Sequence, residues 1–242
     1  MKRKFCAGLV VCSSFLSHSA IANAVALERS TLQPYVGLDL EVKELRFKEN
    51  GGKDLFAKRY PQGNIYAGIK FNENVGLELG YEQSAHKKKN KDVAPGENMI
   101  GAINTTTNTF NRKFTSKING FHVDVIGFFK PMADYETQLF ASIGLGLKQV
   151  KLKTEILGIN GIAYADALKQ SYDRNFKKRK AIMRAAVGVQ HMVTDCVGLR
   201  ATFGWENTAR FKNLVSKEAP SSTTQPSLKN TINYGLGFFY TF

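Results

Sequence analysis

Eight stretches of this chain carry apolar residues at every second position, and a run with period two presents its side chains as a two-faced strand. "YVGLDLEVK" sets Val36, Leu38, Leu40 and Val42 against Gly37, Asp39, Glu41 and Lys43. "NIYAGIKFN" sets Ile65, Ala67, Ile69 and Phe71 against Tyr66, Gly68 and Lys70. "VGLELGYE" sets Val75, Leu77, Leu79 and Tyr81 against Gly76, Glu78, Gly80 and Glu82. "GFHVDVIGFFK" at 120–130, "LFASIGLGL" at 139–147, "IMRAAVGVQ" at 182–190 and "VGLRATFGWE" at 197–206 repeat the pattern. "INYGLGFFYTF" at 232–242 is the eighth.

The connections alternate as well. Strands two and three, four and five, and six and seven are separated by "NEN", "PMADYE" and "TDC". The other connections are long, at 48–63, 84–116, 155–178 and 211–231, and hold turn and low-complexity material such as "ENGGKD", "KKKNKDVAPGEN", "NTTTNT" and "APSSTTQPS". This predicts an all-β, eight-stranded antiparallel up-and-down barrel with short turns at one rim and four long loops at the other.

Alternation does not say which face is inside, since soluble barrels alternate with their apolar face inward. The polar face decides. It is rich in glycine (37, 68, 76, 80, 144, 146, 188, 198, 204, 235 and 237). Glycine gains nothing on a solvent face but makes room in the crowded interior of an eight-stranded barrel. The same face carries Asp39, Glu41, Glu78, Glu82, Asp124 and Glu206 together with Lys43, Lys70, Arg184 and Arg200. Buried charges must be paired, so these ten are expected to form a network that plugs the lumen. The apolar face then meets lipid, with Tyr35, Phe71, Tyr81, Phe129, Trp205, Tyr240 and Phe242 as membrane-interface aromatics. Between Leu147 and Val150 the apolar parity slips from odd to even; a β-bulge would explain it, and so would the end of the lipid zone.

The N-terminus, "MKRKFCAGLVVCSSFLSHSAIANA", has cations at Lys2, Arg3 and Lys4, an apolar stretch and Ala22-Asn23-Ala24. That is the pattern of a cleaved signal peptide, 1–24, leaving the barrel at 25–242. Cys6 and Cys12 would leave with it, so Cys196 in the "TDC" turn is expected to be a free thiol. The formal net charge of +14 asks for anionic partners, and export argues against nucleic acid. Beyond residue 24 no apolar run reaches the ~20 residues of a transmembrane helix.

"NVGLELGYE" at 74–82, "FASIGLGL" at 140–147 and "YGLGFFYTF" at 234–242 resemble the small eight-stranded outer-membrane barrels of Gram-negative bacteria, the outer-membrane protein A transmembrane domain and barrel adhesins among them. The resemblance implies short periplasmic turns, extracellular loops and recognition of the terminal aromatic, Phe242, by the barrel-insertion machinery. Larger relatives continue into a periplasmic peptidoglycan-binding domain; here the chain is expected to end with the barrel, so that function does not carry over.

Three functions are open to such a barrel. The first is a monomeric surface antigen or adhesin whose loops contact lipopolysaccharide or a host ligand. Lys87, Lys88, Lys89 and Lys91 make one loop basic. Arg112, Lys113 and Lys117 precede the fourth strand, Lys148, Lys151 and Lys153 follow the fifth, and Lys177, Lys178, Arg179 and Lys180 precede the sixth. These cations are expected to form a collar at one height, facing glycolipid phosphates. The second is a small-solute channel, which the plugged lumen opposes. The third is a lipid A-modifying enzyme, but His86, His122 and His191 stand beside no obvious nucleophile. No metal cluster, phosphate loop or cofactor motif is present in the sequence.

Overall fold

A computed structural model describes residues 32–47, 55–99, 102–130, 136–163, 174–211 and 227–242. The signal segment, with Cys6 and Cys12, lies outside them. Among the described residues there are twelve strands: β1 (Gln33–Glu44), β2 (Arg59–Lys70), β3 (Val75–Ser84), β4 (Lys87–Val93), β5 (Asn98–Met99), β6 (Ala102–Ile103), β7 (Phe110–Phe129), β8 (Thr137–Ile159), β9 (Ile162–Ala163), β10 (Arg174–Met192), β11 (Val197–Glu206) and β12 (Thr231–Thr241). A 3₁₀ turn at Thr208–Arg210 follows β11.

The hydrogen bonds run β1–β2–β3–β7–β8–β10–β11–β12 and return to β1, always antiparallel. The sheet is therefore an eight-stranded up-and-down ring. Its seam is the pairing of β1 with β12, from Tyr35↔Thr241 to Glu44↔Ile232. A chain that ended in a frayed tail would leave β1 an unpaired edge; here even the Phe242 N–H donates to the Pro34 carbonyl, at 3.1 Å. The turn between β2 and β3 is held by Asn72, whose Oδ1 accepts from the backbone N–H groups of Asn74 and Val75, each at 2.8 Å.

Two expectations need correction at the opposite rim. Most of 84–116 is strand: β4 pairs with β7 from Lys87↔Ser116 to Val93↔Phe110. β8 likewise runs unbroken to Ile159, where Asn160 and Gly161, both at positive φ, turn it back into β9. Nor is there a bulge at Leu147–Val150, because β8 keeps continuous register with both β7 and β10 through that stretch. Bulges lie elsewhere: Asn111 pairs with Gly158 but Arg112 with Ile156, so β8 carries one extra residue against β7 near its upper end. Gln83 pairs with Asn119 and Lys87 with Ser116, so β3 and β4 carry one extra residue against β7. The Ser84 hydroxyl fills the gap by accepting the Ile118 N–H at 2.9 Å.

The parity slip has the second of the two causes, the end of the lipid zone: the strands change polarity part-way along. On β7 the outward residues are Phe121, Val123, Val125 and Phe129 in the half nearer the short turns, and Asn111, Lys113, Thr115, Lys117 and Asn119 in the other half. Inward, His122 and Asp124 give way to Ile118, Phe114 and Phe110. β8 does the same. Outward Ile143, Leu145 and Leu147 are followed by Gln149, Lys151 and Lys153, while inward Lys148 is followed by Val150, Leu152 and Ile156.

The barrel thus has two storeys. The lower is apolar outside and polar inside; the upper is apolar inside and polar outside. The upper core gathers Leu45, Phe47, Tyr60, Val93, Phe114 and Leu152 with Leu55, Phe56, Phe211 and Leu228 from the connecting segments. Phe56 stacks on Phe47 (ring centroids 5.0 Å) and meets Phe114 edge-on (5.7 Å). Phe47 bridges to Leu228, whose N–H donates to the Phe211 carbonyl at 3.0 Å. These segments cap the upper mouth with apolar rings.

Candidate functional site

Each of the ten charges assigned to the lumen is buried, Lys43 completely and Lys70 least, at 8% exposed. They sit in tiers. In the upper tier the Lys43 ammonium donates to Glu82 (3.1 Å) and to Glu206 (2.9 Å), and Lys148 pairs with the same two carboxylates. Glu41 accepts from the amides of Gln62 (2.5 Å) and Asn233 (2.9 Å). In the middle tier Asp124 is shared by Arg184 (3.4 Å) and His122 Nδ1 (2.9 Å), while His122 Nε2 lies 3.0 Å from Asn64 Oδ1. Asn64 in turn donates weakly to Asp39, at 3.5 Å. Below, Arg200 donates to Glu78 at 2.7 Å, and its guanidinium lies between the Tyr66 and Phe140 rings, 4.8 and 4.4 Å from their centroids. At the floor Lys70 donates to Gln138 (3.0 Å) and lies over Phe128 (4.4 Å).

Lys148 belongs to the lumen and not to the expected collar of Lys151 and Lys153: its even position puts it on the face of Gly144 and Gly146, pointing inward and buried. Parity alone would have found it. Among the described residues the lower lumen, with Lys148, holds five cations (Lys43, Lys70, Lys148, Arg184, Arg200) against six carboxylates, and Arg112 is buried higher up.

Tyr35 is a second correction. It is not an interface aromatic: it is 4% exposed and points inward, donating to Glu78 at 3.2 Å. The glycines explain why. Tyr35 stands opposite Gly68 and Tyr66 opposite Gly37. Each ring lies so close over the facing glycine that an added Cβ would come within 2.2 and 2.3 Å of it. Small residues in this lumen are seats for rings from the next strand. The other six interface candidates do not share that burial. Tyr81 and Trp205 lie toward the long-connection end of their strands; Phe71, Phe129, Tyr240 and Phe242 lie at the short-turn rim. Phe121, Phe203, Tyr234 and Phe238 are further exposed aromatics on the apolar faces.

The basic residues divide by register. Lys117, Lys151 and Lys177 stand directly opposite one another on β7, β8 and β10. Thr115, Lys153 and Asn175 form the row above; Asn119, Gln149 and Arg179 form the row below. Lys88 stands beside Thr115 on β4. Lys113 pairs with Glu155 (3.5 Å), as does Lys153 (2.7 Å), and these ammonium groups hold the Glu155 carboxyl below its usual range, the Lys153 hydrogen bond most strongly. Besides Lys148, two cations of the expected collar face inward: Arg112 is buried, and Lys178 stands opposite buried Val150. Of the separate basic loop, Lys87, Lys89 and Lys91 share faces with Ser116, Phe114 and Arg112. Lys180 belongs to the row of Lys148, although it is exposed.

A family model described as outer membrane protein beta-barrel domain matches residues 9–242. No curated protein matches the chain significantly by sequence. Solved structures similar to it include Ail, the attachment invasion locus protein of Yersinia pestis, in complex with the heparin analogue sucrose octasulfate (12% identity, 88% of this chain and 99% of that one, TM-score 0.48). OprG from Pseudomonas aeruginosa (10%, 88% and 96%, TM-score 0.47) and Neisserial surface protein A (13%, 87% and 97%, TM-score 0.43) are similar at the same level.

Proposed function

The chain belongs to the outer membrane protein β-barrel domain family, and from that premise we propose that it is a surface protein of the antigen or adhesin type, non-catalytic and closed to solutes. One observation carries the reading: the lumen is filled twice over, by ion pairs in the lower storey and by apolar rings in the upper. A chain that needed a pore would have to leave both of them open. The upper storey adds about ten residues of β7 above the lipid-facing half, or roughly 25 Å of height at a ~40° strand tilt. Such a tower lifts the loops clear of the headgroups and offers a basic wall to polyanions, lipopolysaccharide or a host glycan among them.

Residues 1–24 act as the export signal and Phe242 contacts the insertion machinery in this reading. The histidines support a non-catalytic role. His122 is engaged by Asp124 and Asn64, and His191 Nδ1 lies 2.8 Å from the Thr137 hydroxyl at the short-turn rim, away from the basic wall.

Two measurements test the proposal. The purified barrel in a planar bilayer is expected to pass no steady current; discrete single-channel steps would favour the porin reading instead. Cells displaying the protein are expected to bind sulfated glycans or host cells, and Gln at Lys87, Lys88, Lys89 and Lys91 to weaken that binding. Unchanged binding would remove the β4 lysines from the site.

A further inference from the structure

Among the described residues no carboxylate pairs with Lys117, Lys151 or Lys177. Their arrangement is unfavourable in isolation. Three like charges stand directly opposite on adjacent strands, about 5 Å from one to the next, and such pairs destabilise a sheet. Nearby lysines are not left this way: Lys113 and Lys153 share Glu155, and Lys91 has Glu97 at 3.4 Å. A strand wall that collects three uncompensated cations in one row is built for an external anion.

The height of the row says which kind. Phe121, Leu147 and Ala181 make the last apolar outward row on these strands, and the lysines lie four residues above it. Four residues of strand are ~13 Å, or ~10 Å along the membrane normal at a tilt of ~40°. The headgroup layer on one side of a bilayer is about 5–7 Å thick, and a lysine stem reaches several ångströms downward along an apolar wall. Arg179, one row lower, falls within the layer itself. Below the row, half-buried Tyr81 and exposed Phe121 form an aromatic pair (centroids 4.7 Å) that would lie against acyl chains.

We propose that Lys117, Lys151 and Lys177, with Arg179 beneath, form a binding site on the outer wall for the phosphate groups of an outer-leaflet glycolipid, its acyl chains lying along Phe121 and Leu147. The inference rests on the surface-protein reading above and narrows its partner. A row ~10 Å long suits a headgroup with more than one phosphate better than a single anion, because each phosphate can lie between two ammonium groups. Lys87, Lys89 and Lys91 of β4, which share the inward-facing rows, take no part.

The test compares the full-length barrel with K117Q/K151Q/K177Q and, as control, K87Q/K89Q/K91Q. All three are purified in a neutral detergent and shown to be folded by their resistance to unfolding in SDS. Binding of bis-phosphorylated lipid A is titrated by native mass spectrometry, beside dephosphorylated lipid A, phosphatidylglycerol and inorganic phosphate. A lysine near an anionic surface is worth about fivefold in affinity, so the wall variant should lose on the order of a hundredfold for phosphorylated lipid A. The control should stay within about twofold. Wild type should prefer phosphorylated over dephosphorylated lipid A, and the wall variant should lose the preference. Equal affinity of wild type and wall variant would overturn the site. Equal affinity of wild type for phosphatidylglycerol would overturn the glycolipid, and full displacement by millimolar inorganic phosphate would overturn the lipid-borne ligand. Conductance and cell binding are read separately, so loss of this site leaves the sealed-lumen reading standing.

Discussion

The lower and upper storeys of the barrel are made by the same strands and obey opposite rules. On β8, Leu145 faces out and Gly146 faces in; six and seven residues on, Lys151 faces out and Leu152 faces in. Neither the backbone nor the register changes between them. What changes is the surroundings. Against lipid, the outward face must be apolar, and the charges left inside must satisfy one another. Against water, the outward face is free to be charged, and the inside becomes an ordinary hydrophobic core. Inside and outside are therefore set by the solvent at each height, and one strand can carry both.

Breaking each storey by its own logic should give the largest effects. In the lower one, Arg200→Met leaves Glu78 buried without its guanidinium and should cost about 3–5 kcal/mol, read as a lower urea midpoint for unfolding in lipid vesicles. In the upper one, Phe114→Ala opens a cavity among Phe56 and its neighbours and should cost about 3–5 kcal/mol in the same assay. Phe121→Ala, on the same strand but against lipid, leaves no enclosed cavity and should cost clearly less. Equal losses at 114 and 121 would mean that the upper interior is not a packed core.

A smaller effect sharpens the boundary. Leu145→Arg puts a charge on the lipid face and should cost about 2–4 kcal/mol, whereas Thr115→Arg, outward on the upper storey, should cost under ~1 kcal/mol. Similar penalties would place both in the same medium. The smallest effect is electrostatic. Glu155 is held deprotonated by Lys153 and Lys113, so its contribution is present above its unfolded-state pKa and lost as pH falls through the depressed folded value. Partly exposed, it should change the unfolding midpoint between pH 6 and pH 3 by well under ~1 kcal/mol relative to Glu155→Gln.

The lower storey was legible in the sequence because a lipid-facing strand has no choice but to alternate. Leu38, Leu40 and Val42 against Asp39, Glu41 and Lys43 could be read residue by residue, and the ten lumen charges followed. The upper storey was not legible by the same rule. Its outward residues, such as Lys113, Thr115 and Lys117, are those of a loop, and its inward residues, such as Val150 and Leu152, look like a slip in parity. Lys87–Val93 read as turn material because four lysines mask a strand whose partners in β7 lie 17 to 29 residues away. Tyr35 was misplaced because an aromatic near a strand end suits an interface, and only its partner Gly68, across the register, shows that the ring has a seat inside. The collar was legible as composition, but which cations share a row depends on register, and register is a property of pairs of strands.

The central claim is that polarity inverts along unbroken strands at Phe121–Asn119 on β7 and Leu147–Gln149 on β8. Site-directed spin labels placed singly from 143 to 153 on β8, in a barrel reconstituted in lipid, test it most directly through accessibility to oxygen and to a water-soluble nickel complex. Labels at 143, 145 and 147 should be oxygen-accessible, those at 149, 151 and 153 nickel-accessible, and those at 150 and 152 shielded from both. Oxygen accessibility at 150 and 152, with the odd positions shielded, would mean that the strand slips at a bulge and that the upper core does not exist.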